Sequence, residues 1–124
     1  MIAVDSSSWI AFFGGDSGAD VGAVDQALAL KQVVLPPVVL TEILSAPGLD
    51  PRVSSFFRDL PVLALEPGYW ERAAANRAKL LTRKLRARLA DTLISQSCID
   101  RRVPLITRDS DFRHFAHHAG LELA

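Results

Sequence analysis

Short apolar runs alternate with stretches of helical periodicity along the whole chain. Residues 2–4, Ile-Ala-Val, form the first run and end at Asp5; they predict a short buried strand. Residues 6–14, "SSSWIAFFG", predict a helix that Ser6 or Ser7 can cap and that the Gly14-Gly15 pair stops. Residues 18–32 put Val21, Val24, Ala27 and Leu28 on one face of a second helix. "VVLP" at 33–36 reads as a second strand. Residues 37–46, "PVVLTEILSA", open on Pro37, which is tolerated at a helix start, and stop before Pro47-Gly48. Residues 50–60 predict a short helix with Asp50 as cap and Pro51 at its first position. "PVLALE" at 61–66 reads as a third strand.

The longest helical pattern spans 67–85, where Trp70, Ala73, Ala74, Arg77, Leu80 and Leu81 recur at helical spacing. Another helix follows over 90–102, with Leu93, Ile94, Ser97, Cys98 and Ile99 toward the core. "VPLIT" at 103–107 is a fourth strand, 110–120 a short helix ended by Gly120, and "LELA" at 121–124 a candidate terminal strand. Strands this short and apolar, alternating with helices, predict an α/β fold: a central parallel sheet of four to five strands with helices on both faces. Residues 1–124 read as one domain, with no repeat, linker or low-complexity tract. In such sheets ligands bind beyond the C-terminal strand ends, where the strand order reverses.

Composition narrows the class. The chain is 49% apolar, which suits a packed core and excludes a disordered segment. Its one cysteine, Cys98, excludes an internal disulfide and points to a reducing cytoplasm; it reads as a small core residue. No apolar run approaches the length of a membrane span, and the N-terminus lacks a signal-peptide pattern, so no membrane role is expected. Formal net charge is zero but unevenly spread. Residues 1–66 hold 3 Lys/Arg against 8 Asp/Glu, and residues 67–124 hold 11 against 6. Arg72, Arg77, Lys79, Arg83, Lys84, Arg86 and Arg88 lie within residues 72–91, where Asp91 is the one acid. This stripe is either a solvated helix face or an attractor for an anionic polymer.

The acids fall at telling places. Asp5 directly follows the first strand, and Asp109 lies three residues after Ile106. If both strands are central and parallel, both carboxylates emerge at one edge. Glu42 interrupts an apolar helix, and Asp91 opens the helix that precedes the last core strand. Each has an ordinary structural use, as a cap, a turn residue or a solvent-facing position. Together they describe a carboxylate cluster, which persists only if some members stay protonated or divalent cations neutralise them. Carboxylates without companion Cys or His suit hard cations, Mg²⁺ or Mn²⁺, which share coordination with phosphate oxygens. Beside a basic stripe, that chemistry is phosphodiester hydrolysis.

"VDSS" at 4–7, "TEIL" at 41–44, "LADTLIS" at 89–95 and "LITRDSDF" at 105–112 occur here in the order and spacing of a known family. Over essentially its whole length the chain resembles a PIN domain, and more narrowly a VapC-type toxin of bacterial toxin–antitoxin pairs. The resemblance implies an endoribonuclease that uses Mg²⁺ or Mn²⁺, with Asp5, Glu42, Asp91 and Asp109 as its acidic quartet. It implies supporting roles for Ser6, Thr107 and Asp111. Arg83, Lys84, Arg86, Arg88 and Arg108 are then candidates for RNA contact. A cognate antitoxin and a homodimer are the implied protein partners. The stretch before the third acid, "RKLRARLAD", lacks the small residues common in the family.

Two other readings stand beside this one. A catalytically silent domain would use the same fold to bind RNA or protein. Another Mg²⁺-dependent phosphohydrolase, of the haloacid dehalogenase type, needs a second acid two residues after its first, where this chain has "SSS" after Asp5. His114, His117 and His118 fit a solvated helix face, and "GGDSGAD" at 14–20 fits a turn. Trp9, Phe12 and Phe13 fit core or dimer packing.

Overall fold

The computed structural model describes residues 1–124. Its elements are β1 (Ile2–Val4), α1 (Ser6–Phe13), α2 (Ala19–Ala29), β2 (Val33–Val34), α3 (Pro37–Leu44), α4 (Pro51–Arg58), α5 (Tyr69–Thr82), α6 (Leu89–Arg101), β3 (Leu105–Ile106) and α7 (Phe112–Ala119). The three strands are parallel, in the order β2-β1-β3. Ile2 faces Val33, Ala3 lies between Val34 and Leu105, and Val4 faces Ile106. Ala3, Val4, Val33, Val34, Leu105 and Ile106 are all buried whichever way they point. Both faces of the sheet are therefore covered, as continuous apolar strands require.

The expected fourth and fifth strands are present as isolated bridges rather than ladders. Val62 pairs with Leu35 and Leu123 with Leu105, both in parallel. Leu35 N–H donates to the Pro61 carbonyl and Leu63 N–H to the Leu35 carbonyl, each at 2.8 Å. On the other edge Leu105 N–H reaches the Glu122 carbonyl and Ala124 N–H the Leu105 carbonyl, both at 2.9 Å. Each outer run thus closes one edge at a single residue.

Strand order reverses at β1, whose neighbours lie on opposite sides of it. Asp5 leaves the sheet at that switch point, as the general geometry of open α/β sheets demands of a ligand site. Local signals explain the helix ends nearby. Pro37 and Pro51 occupy first-turn positions, and the Asp50 carboxylate accepts from Arg52 N–H at 2.8 Å. Gly120 ends α7 with φ +83°, a conformation glycine adopts without steric cost.

Two expectations at helix starts shift. α1 begins at Ser6 with Asp5 at its N-cap, so neither Ser6 nor Ser7 caps it. α6 starts at Leu89 with Arg88 at its N-cap, so Asp91 lies inside the first turn instead of capping it. A carboxylate there is still favoured by the helix dipole. Trp9 and Phe57 anchor an aromatic cluster between α1 and α4, with ring centroids 4.9 Å apart and edges to faces. Phe13 belongs to the same cluster but remains 44% exposed. Cys98 is buried, and desolvation pushes its thiol up to about 12, consistent with a core residue. No helix is long and apolar enough to cross a membrane.

Candidate metal centre

Asp5 is held more firmly than any other acid of the site. Its backbone N–H donates to the Ile106 carbonyl at 2.9 Å, which ties the end of β1 to β3. Its carbonyl accepts from Ser8 and Trp9 and so opens α1. Ser7 Oγ donates to Asp5 Oδ2 at 2.7 Å and Thr107 Oγ1 to the same oxygen at 3.0 Å. Ser6 Oγ lies 3.4 Å from Asp5 Oδ1 and 2.9 Å from Glu42 Oε1. A hydroxyl has one proton, so the shorter contact takes it, and Ser6 links Asp5 to Glu42 across the groove between α1 and α3.

The loop after β3 is organised from within. Thr107 Oγ1 accepts from Asp109 N–H at 3.0 Å, and Asp109 Oδ1 accepts from Asp111 N–H at 2.9 Å. This chain of turn bonds aims both aspartates toward the start of α6. Asp91, Asp109 and Asp111 each offer a carboxylate oxygen, and these oxygens lie within 4.8 Å of one another. Asp5 and Glu42 stand outside that trio. Asp111, expected only to assist, is a full member of it. Ser7, missed in the sequence, is the nearest partner of Asp5, and the triple serine after Asp5 was its one signal.

Electrostatics single out Asp91. Burial, and then the charges of Asp109 and Asp5, raise its pKa from 3.8 to about 6; Arg88 opposes this and Asp111 adds to it. Its Oδ2 is buried without a hydrogen-bond partner. Trp9 Nε1 and Ser95 Oγ share that condition, but neither belongs to the acid group. Buried polar atoms normally have partners, so an orphaned oxygen on a carboxylate grouped with two others points to a place for a cation. The donor set is oxygen only, which fits Mg²⁺ or Mn²⁺. Glu42, at the exposed rim, is also raised, by partial burial of its carboxylate and by Asp5, against the Ser6 hydrogen bond.

The basic residues divide. Arg83, Lys84, Arg86 and Arg88 are exposed on the connection from α5 to α6. Arg86 Nη1 reaches Asp111 Oδ2 at 3.5 Å, which brings this segment to the acid trio. Arg108 points elsewhere. Its Nε and Nη2 donate to Asp20 Oδ2 and Oδ1 at 2.8 and 3.0 Å, and Nη2 also donates to the Ser17 carbonyl. Ser8 Oγ donates to the same Asp20 carboxylate at 2.8 Å. Arg108 thus clamps the loop after β3 to α2, and a phosphate would have to compete with a bidentate carboxylate for it.

Residues 2–118 match the family model described as PIN domain. The chain belongs to the PIN domain family. No curated protein matches this PIN domain. Among solved structures it is similar to VapBC2 from Rickettsia felis, a structure described as bound to a DNA fragment from their promoter. That likeness covers 100% of this chain and 98% of the other, with TM-score 0.73 and 15% identity. It is also similar to VapBC-5 from Mycobacterium tuberculosis, described as a member of the VapBC family of toxin-antitoxin systems. There the coverage is 98% and 95%, the TM-score 0.68 and the identity 24%. At these identities the likeness establishes a shared fold over the full length of this PIN domain.

Proposed function

We propose that this PIN domain is a metal-dependent endoribonuclease and the toxin of a toxin–antitoxin pair. The observation that carries the reading is the grouping of Asp91, Asp109 and Asp111 at the C-terminal edge of the sheet, with Asp91 keeping a buried, unpartnered Oδ2. Asp91, Asp109 and Asp111 would hold a Mg²⁺ or Mn²⁺ ion, with the charge of Asp5 beside them. Such an ion, when bound, neutralises the acids, lowers the pKa of a water and screens charge on a phosphate.

The remaining steps belong to the protein. Ser7 and Thr107 keep Asp5 in one rotamer, since its Oδ2 accepts from both hydroxyls. Glu42 stands at the open rim with its proton affinity raised, placed to accept a proton as water forms its bond to phosphorus. The bond from phosphorus to the 3′ oxygen breaks in line and that oxygen takes a proton from solvent, leaving 5′-phosphate and 3′-hydroxyl ends. Arg86 and Arg88, beside Asp111 and Asp91, orient the RNA backbone.

Two apolar faces suit the protein partners. A groove of 250 Å³ runs between α1, α3 and α4, lined by Ile10, Phe13, Ile43, Leu49 and Val53, and ends at Ser6 and Glu42. An amphipathic antitoxin segment with a terminal cation fits it, because its apolar side fills the groove and its charge meets the acids. The homodimer contact is assigned to the face carrying Trp70 and Leu89, 61% and 60% exposed, where an apolar patch would otherwise meet water.

The test is cleavage of total RNA by purified protein, with end mapping. Mg²⁺ or Mn²⁺ should be required, EDTA should stop cleavage, and Asp91→Asn or Asp5→Asn should lower it by roughly 100-fold or more, the scale at which site groups act. Undiminished cleavage in EDTA, or by Asp91→Asn, overturns the reading.

A further inference from the structure

α7 has one end in the acid site and the other in a cluster of cations. Asp111 stands at its N-terminus, and His114, His117 and His118 follow along the helix. Phe112 and Phe115 are buried and fix which side of α7 meets the core. The histidines are thereby left at the surface, His117 exposed and His114 and His118 half-buried. α5 packs against α7, and Lys79 Nζ donates to the His118 carbonyl at 3.0 Å.

The charges acting on the His118 ring are all cationic. They are Arg83 just past the end of α5, Lys79 from α5, and His117 and His114 from α7. α6 also packs on α7, but its charges are engaged elsewhere. Asp100 is paired with Arg72, Arg101 with Glu66, and Asp91 lies in the acid trio. Groups of like charge gathered without counter-charges repel one another, and a bound polyanion relieves that repulsion. His118 lies about one α7 length, roughly 10 Å, from Asp111. That distance is covered by a few nucleotides of single strand. The basic turn at 83–88 runs between the two, with Arg83 in the cluster and Arg86 on Asp111.

We propose that Lys79, Arg83, His117 and His118 form a second anchoring tract that grips the sugar-phosphate backbone of RNA flanking the scissile bond. This extends the nuclease reading, on which it rests, from the cutting site to a path for the substrate. His118 makes the grip tighten as it gains a proton. Burial and the surrounding cations lower the pKa of His118 in the free protein, so a phosphate is what restores its charge.

The test is anisotropy of a labelled single-stranded RNA of about 16 nucleotides, an upper site size for a single-strand binding module. It is run in EDTA, so that binding is read without cleavage. Wild type should bind more tightly at about pH 5.5 than at about pH 8, the range in which histidine titrates. The variant Arg83→Gln/His117→Gln/His118→Gln should lose that pH dependence, and its salt slope should fall by roughly 0.7 for each phosphate that is no longer neutralised. The variant His117→Gln/His118→Lys should restore binding relative to the triple variant and make it insensitive to pH. An unchanged salt slope and unchanged pH dependence in the triple variant overturn the tract, even if the protein cleaves RNA. Conversely, histidine-dependent RNA binding by a protein that cuts nothing sustains the tract and removes the nuclease reading.

Discussion

Asp91 carries a charge that the metal-free fold resists. Its pKa stands at about 6 rather than 3.8 because burial and neighbouring acids favour the neutral carboxyl. A carboxyl with a raised folded pKa costs stability above that pKa, and the cost vanishes below the unfolded value. The full shift is worth about 3 kcal/mol, and partial exposure reduces it to about 1–2 kcal/mol. In EDTA at neutral pH, Asp91→Asn should therefore melt a few degrees higher than wild type. The gap should close as pH falls from about 6 through about 4, because wild type then carries a proton at the same place. Mg²⁺ or Mn²⁺ should reverse the order by stabilising wild type alone. Calorimetry of both proteins at two pH values checks this, and a variant less stable than wild type in EDTA at neutral pH contradicts it. The acids themselves were legible, since a carboxylate after an apolar strand is conspicuous. Their grouping was less so. Asp111 joins Asp91 and Asp109 through turn bonds at Thr107 and Asp109, which no spacing rule specifies.

The pairing of Arg108 with Asp20 couples α2 to the loop after β3, and so to Asp109. These residues are 88 positions apart, and nothing in either segment announces the other. In sequence, Arg108 beside two aspartates looks like a phosphate ligand; only tertiary placement supplies the competing carboxylate. The same holds for the outer strands, whose apolar runs were visible although each edge is one bridge long. The Arg108 hydrogen bonds, with smaller help from Ser8, hold the Asp20 pKa down to about 2 from 3.8, against burial. A depressed carboxylate contributes stability that is present above 3.8 and lost as pH falls through about 2. With Arg108 36% exposed, that contribution is about 1–2 kcal/mol after solvent screening. Asp20→Asn should lose this amount at neutral pH, measured by urea denaturation, and should converge with wild type near pH 2. Equal stability at neutral pH would show that the clamp is idle. The segment is tightly fitted: a Cβ on Gly18 would meet Asp20 Oδ1 at 2.7 Å and Arg108 Nη2 at 3.1 Å, at φ +145°.

Across the molecule, three kinds of surface converge on the C-terminal edge of one small sheet. The acid trio lies at the strand ends, cations line the turn at 83–88 and the far end of α7, and the α1–α3–α4 groove opens beside Glu42. This arrangement separates two demands. On the proposed reading RNA would be attracted through the cations, whereas an antitoxin entering the apolar groove would approach the same acids from the side of α1. Ile10 tests that division, because it lines the groove while 66% exposed, with no part in the Asp5 hydrogen bonds. Ile10→Asp should change folding stability by no more than about 0.5 kcal/mol, as expected for a surface site. Facing the antitoxin, the same carboxylate would be desolvated inside an apolar contact. Its affinity for the cognate antitoxin should then fall by about 10- to 100-fold, or roughly 1.4–2.8 kcal/mol. Titration calorimetry of antitoxin into wild type and Ile10→Asp measures that difference. An unchanged affinity, with the melting temperature also unchanged, would mean that the antitoxin reaches the acids by another route, and that the groove beside Glu42 serves some other contact.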